Sequence, residues 1–95
     1  MAIVMNMQWP GLTKDQYDQT LALVGWETEI PTGAKFHVAS FDDKGLRVTD
    51  LWDSADDFNR FVEQRLMPGV QQVGIAGQPE VEIIEVHRIF APNPT

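Results

Sequence analysis

The sequence predicts a small α+β domain whose elements run βαββαβ. Three observations predict it. Two stretches carry apolar residues at helical spacing, four others alternate or run apolar as strands do, and Gly, Pro or Asp clusters punctuate the junctions. The order is that of two split β-α-β halves.

Residues 2–8 read as the first strand, with Met5 and Met7 alternating against Val4 and Asn6. Trp9-Pro10-Gly11 ends it. Thr13-Lys14-Asp15-Gln16 has the spacing of a capping box, and Tyr17, Leu21 and Val24 follow at helical intervals, so a helix is expected over 13–24. Gly25 can terminate it, and Trp26 to Gly33 reads as a loop. Residues 34–41 and 46–52 form a hairpin around Asp42-Asp43-Lys44-Gly45. Asp53 or Ser54 caps a second helix bearing the stripe Phe58, Phe61, Val62 and Leu66. Pro68 and Gly69 are expected to interrupt it, with Val70 and Val73 continuing as a further short turn. Gly74, Gly77 and Pro79 form a loop, 80–90 the last strand, and 91–95 a tail. An eleven-residue, largely apolar final strand is long against the usual five or six. Its far end is expected to meet another copy of the chain.

Ninety-five residues bound the chain to one domain over 1–95, with an ordered core of about 2–90. A chain of this size buries roughly 60–65% of its unfolded surface, so burial by self-association would matter. The sequence has no cysteine, which removes disulfides, thiolate metal sites and a cysteine nucleophile, and suits the cytoplasm. Met1 to Asn6 lacks the basic start and long apolar run of a signal peptide, and no apolar run approaches the roughly 20 residues that span a bilayer. Net charge is −7, and the seven basic residues are scattered, so neither nucleic acid nor an anionic membrane is an expected partner.

The run from Leu46 to Phe61, with its Trp52-Asp53-Ser54 step before a helix of paired aromatics, resembles the strand-to-helix joint of dimeric α/β-barrel proteins. Arg65-Leu66-Met67-Pro68 and the closing Pro79 to His87 are similar to small actinobacterial-type members, and the likeness covers about residues 3–90. The resemblance implies a ferredoxin-like fold: a four-stranded antiparallel sheet with both helices on one face. It also implies a homodimer whose opposite faces enclose a barrel, with ligand pockets between sheet and helices or inside it. The superfamily includes antibiotic-biosynthesis-type monooxygenases, polyketide cyclases, muconolactone isomerase-like enzymes and haem-degrading relatives. A fold at this level does not determine chemistry.

His37 and His87 are the only histidines, both within expected strands, and histidine exchanges protons most readily near neutral pH. Asp50 sits mid-strand, where an acid on a core face is unwelcome. These three are the catalytic candidates. If Phe41 pairs with Leu46, His37 lies opposite Asp50; if Asp43-Lys44-Gly45 is a three-residue turn bulged at Gly45, the register slips by one and the two face apart. The Asp-Lys-Gly sequence favours the bulged turn. Trp52, Tyr17, Met5 and Met7 are candidate substrate-binding residues: two aromatics with polar tips and two adaptable apolar side chains. Trp9 and Trp26 suit lids, dimer contacts or packing over the sheet end, and Glu85 a salt bridge. Nothing in the spacing specifies a metal set or a haem ligand, and no cofactor is expected. The function expected is that of a cofactor-independent enzyme, monooxygenase-, cyclase- or isomerase-like, acting on a small apolar or aromatic molecule. The alternative is a non-catalytic ligand-binding or accessory dimer. In either case two copies are expected to shelter a space that neither encloses alone.

Overall fold

The computed structural model describes residues 1–92, so positions 93–95 of the expected tail lie outside the described residues. Strand β1 (Ile3–Pro10) leads to helix α1 (Lys14–Val24), then to the hairpin β2 (Ala34–Phe41) and β3 (Gly45–Trp52). Helix α2 (Ala55–Phe61), a π-helical turn (Val62–Leu66), helix α3 (Met67–Val73) and strand β4 (Glu80–Glu85) follow. The four strands form one antiparallel sheet in the order β2-β3-β1-β4.

The alternation in β1 sets the two faces. Ile3, Met5, Met7 and Trp9 are buried, and they join Leu46, Val48 and Trp52 of β3 under Val24, Phe58, Phe61 and Val70 from the helices. On the other face Phe36, Leu51, Val4 and Ile84 stand in one cross-strand row. Phe36 and Ile84 are exposed there, as is Val38 in the next row.

Local signals place the helices as the sequence reads. The Thr13 hydroxyl accepts from the Gln16 amide while the Gln16 side chain accepts from the Thr13 amide, closing a capping box. Gly25 ends α1 in the left-handed conformation. Ser54 caps α2 through the Asp57 amide.

Three expectations are corrected. Pro68 and Gly69 do not interrupt the second helical segment. Pro68 has no N–H to donate and its ring crowds the preceding turn. The turn over Val62–Leu66 widens, with the Met67 N–H reaching back five residues to the Val62 carbonyl, and the helix runs through. Gly69 lies at the contact with α1, where a Cβ would stand 2.9 Å from Val24 Cγ2.

The last strand ends at Glu85 rather than at residue 90. The Val86 N–H still donates to the Ala2 carbonyl, but His87 to Phe90 lie beyond the sheet and are exposed.

The hairpin is the third correction. Phe41 pairs with Leu46, so the turn has an even register and no bulge at Gly45. The Asp42 carboxylate, rather than a bulged backbone, organises it by accepting from the Lys44 and Gly45 amides. Those bonds, the Lys44 amide's first, and the Arg47 guanidinium hold the Asp42 carboxyl below the usual carboxylate range. Gly45 is required by its other neighbour: at φ 144° it pairs with Pro10 of β1, and a Cβ would lie 2.5 Å from the Trp9 carbonyl oxygen. The hairpin's one irregularity sits at the far end, between Ala34 and Phe36.

Gly45→Ala is therefore expected to cost about 3 kcal/mol or more in urea unfolding, because strain and a backbone clash coincide. Gly11→Ala, at φ 80° with open space around it, is expected to cost only about 1–2 kcal/mol. Equal losses would contradict the close approach of β1 to the hairpin.

Candidate active site

The even register decides the chemistry of the sheet's covered face. His37 on β2, Asp50 on β3 and Met5 on β1 stand side by side across three strands. Asp50 is thereby placed in the core, 4% exposed, among apolar neighbours. A carboxylate there is tolerated only with its lone pairs filled. The Trp52 indole N–H, two residues along the same face, donates to Oδ2 at 3.1 Å. His37 Nδ1 lies 2.6 Å from Oδ1, a short charge-assisted contact.

These partners fix the imidazole. The carboxylate accepts, so Nδ1 carries a proton, and in the neutral imidazole Nε2 is left to accept. The Tyr17 hydroxyl on α1 stands 2.7 Å from it, placed to donate. Burial, then the Asp50 charge and the carboxylates of Glu27 and Asp18, raise the Tyr17 pKa, so the phenol stays a donor at neutral pH. Trp52, Asp50, His37 and Tyr17 thus form one chain of hydrogen bonds from the buried core to the helix layer.

That chain borders a cavity of about 70 Å³ between sheet and helices. Met5, Met7 and Val48 line it from the sheet, and Val24, Phe58 and Val70 from the helices. Its polar side chains are Tyr17, Thr20, His37 and Asp50. The Thr20 hydroxyl is spent on the Gln16 carbonyl at 2.8 Å, and the Asp50 oxygens are taken. The Tyr17–His37 pair is a place where a ligand can exchange a hydrogen bond. No Lys or Arg lines the space. It is about half the roughly 150 Å³ of an apolar cavity that admits benzene.

The structure brings Tyr17, His37, Asp50, Met5 and Met7 to this cavity. Trp52 stands behind Asp50, wholly buried, where it holds the carboxylate. His87 does not join them: it follows the end of β4 and is exposed, and it does not line the space. The cavity is lined by residues of one copy of the chain, between the sheet and the helices.

Two contributors were not assigned to the site from sequence. Trp26, half-buried in the loop after α1, packs on the His37 ring with centroids 4.8 Å apart and also meets Trp52 and Phe61 edge-on. Arg65 holds that loop. Its Nη2 donates to the Val24 and Glu29 carbonyls, both at 2.7 Å, while its guanidinium lies over the Phe61 ring. An aromatic directly behind a helix-ending glycine was the available signal for Trp26; Arg65 had none.

No protein-family model and no curated protein matches the chain. Solved structures do. SnoaB, a cofactor-independent oxygenase from Streptomyces nogalater, superimposes with TM-score 0.66 at 14% identity, covering 97% of each chain. A dimeric ferredoxin-like protein of unknown function from Thermobifida fusca matches with TM-score 0.64 at 14% identity, over 90% of this chain and 92% of that one. The fold is ferredoxin-like. A proposed antibiotic-biosynthesis monooxygenase from Deinococcus radiodurans shares it, with TM-score 0.61 at 13% identity over 96% and 97% of the two chains. At these identities the likeness concerns the ferredoxin-like fold alone. No helix among the described residues is long and apolar enough to cross a membrane.

Tyr17 is the chain's single tyrosine, so alkaline titration of tyrosinate absorbance reads it alone. The midpoint is expected above the ordinary value of 10.0, and Asp50→Asn is expected to lower it by removing one charge. A phenol with a raised folded-state pKa contributes stability that is present below the unfolded value and lost as pH climbs through the folded one. Tyr17→Phe should therefore remove part of the alkaline loss of stability. A midpoint at or below the ordinary value would contradict the buried hydrogen-bonded placement.

Proposed function

We propose that the chain is a cofactor-independent enzyme, monooxygenase-, cyclase- or isomerase-like, in which His37 moves a proton on a small neutral molecule held in the subunit cavity. The observation that carries this reading is the imidazole itself: an accepting Nε2 at the wall of an apolar space, with a buried carboxylate behind it. SnoaB, of the same fold, is a cofactor-independent oxygenase, which supports the class without fixing the substrate.

A ligand that enters the cavity takes the place of the Tyr17 hydrogen bond at Nε2. Nε2 then removes a proton from a weakly acidic C–H or O–H of the ligand. The imidazolium that results is stabilised through Nδ1–H by Asp50, whose position Trp52 fixes. The freed Tyr17 hydroxyl can donate to the oxygen on which negative charge develops. An isomerase or cyclase needs only the return of that proton elsewhere. A monooxygenase needs in addition a deprotonated substrate able to pass an electron to dioxygen.

The lining also selects charge and size. With no cation in the cavity, a carboxylate at its wall and a net charge of −7, an anionic ligand finds no counter-ion. A ring-sized molecule exceeds the volume of about 70 Å³, so Trp26, supplied by a loop, is the side chain that yields to it. The chain is proposed to act as a homodimer through its open sheet face, in keeping with the dimeric Thermobifida protein. The alternative is a non-catalytic ligand-binding or accessory dimer. It is favoured by the fact that Tyr17 already saturates His37 Nε2.

Thermal-shift measurements with small aromatics separate these readings in part: neutral phenols are expected to stabilise the protein and the corresponding benzoates are not. Preferential stabilisation by the anions would sink the charge argument. In a turnover assay on any substrate so found, His37→Gln is expected to lower kcat by about a hundredfold or more while binding persists. Unchanged turnover would remove the proton-transfer reading, and binding without turnover in the wild type would leave the accessory one.

A further inference from the structure

The loop after α1 is tied down at one point. Between Gly25 and the buried Pro31, residues 27–30 are exposed and Trp26 is half-buried. The Thr28 and Glu29 amides turn back on the Gly25 carbonyl at 3.2 and 2.7 Å, so those bonds close the segment on itself. Among the described residues, the hydrogen bonds that join it to a distant element are those of Arg65, whose single Nη2 reaches the Val24 and Glu29 carbonyls on either side of Trp26. Arg65 belongs to the widened turn Val62–Leu66, a kind of helix irregularity that recurs at functional sites. It stands one turn on from Phe61 and covers that ring, which in turn meets Trp26 edge-on at 5.4 Å.

We infer that Trp26 and its loop are the gate of the cavity and that Arg65 is the latch. A ligand passes when Nη2 releases the two carbonyls and Trp26 swings off the His37 ring, with Gly25, already in the left-handed region, as the pivot. This rests on the ligand reading above and adds the route of entry and the positioning residue that sets its rate. The competing route is the far end of the cavity, where Leu12 and Ile75 line it from other loops. That end is shut more firmly. Trp9 stands four residues along β1 from Met5, which shares the row of His37, and it is 3% exposed with its indole N–H bonded to the Ala76 carbonyl at 3.2 Å. Leu12 is 6% exposed. Segments with exposed backbone and few buried contacts open at lower free energy than packed ones, and the loop of Trp26 is such a segment.

The latch can be read without any ligand. Trp9 and Trp52 are 3% and 0% exposed, so acrylamide quenching of tryptophan fluorescence reports on Trp26. Arg65→Met keeps an unbranched stem over Phe61 and removes the donors. It is expected to raise the quenching constant about twofold or more with an unchanged circular dichroism spectrum. Arg65→Lys, which restores N–H donors, is expected to fall between Arg65→Met and wild type. An unchanged quenching constant in Arg65→Met overturns the latch.

Stopped-flow fluorescence with phenol tests the gate. A latch that closes on free and liganded protein alike slows entry and exit together. Arg65→Met is therefore expected to raise both rates about fivefold or more while Kd moves by less than about twofold, and Leu12→Ala to leave both rates near wild type. Faster release with a matching loss of affinity would mean damage to the site rather than a freed gate, and overturns the inference. Faster exchange in Leu12→Ala but not in Arg65→Met places the entrance at the far end and overturns it as well. Phenol that binds none of the proteins would refute the proposed ligand class instead, and the quenching comparison then decides the latch by itself.

Discussion

The buried carboxylate of Asp50 is the constraint around which the rest of the molecule is arranged. Left alone in an apolar layer it would be destabilising, and a protein of this size has little stability to spare. The fold answers by supplying two donors from the same sheet face: the Trp52 indole from along the strand and the His37 imidazole from the neighbouring strand. Each donor is then packed in turn. Trp52 is wholly buried against Phe58 and Phe61, and His37 lies between the Tyr17 hydroxyl and the Trp26 ring.

That arrangement links turn chemistry to the site. The Asp42 carboxylate and the Gly45 approach to β1 hold the hairpin in an even register, and only that register puts His37 opposite Asp50. A slip of one residue would turn Asp50 toward the core without its histidine. The helices complete the site from the other side: Val24, Phe58 and Val70 close it with apolar surface, while Arg65 ties down the loop that carries Trp26. Local choices that agree with the global fold in this way are what a sequence needs to specify one structure.

Much of this was legible beforehand. The capping box at Thr13, the stop at Gly25, the alternation of Met5 and Met7 and the stripe through Phe58 and Phe61 each carry a local physical signal, and each stands where it was expected. In each misreading a local preference was overruled, absorbed or left unused by the surrounding structure. Gly45 suggested a bulge because glycine tolerates positive φ, yet its role is to let β1 pass close. Pro68 suggested a break, yet a widened turn absorbed it. Residues 86–90 have strand composition, yet no neighbouring strand of the same chain is there to pair with them. For the site, the residue types pointed to His37 and Asp50, but their meeting depended on a register that the turn sequence alone did not favour. Trp26, readable from sequence only as a lid, dimer contact or packing residue, and Arg65, with no signal at all, took their places through contacts between distant segments.

The claim on which the account rests is the direction of the hydrogen bonds through His37, and nitrogen-15 NMR of its imidazole tests it most directly. The account predicts a ring with its proton on Nδ1 and a bare, accepting Nε2, opposite to the tautomer that free histidine prefers. The exposed His87 gives the second imidazole signal in the same spectrum. In the Asp50→Asn protein the His37 preference should weaken. A His37 ring that is protonated on Nε2, or that exchanges between tautomers, would contradict the account.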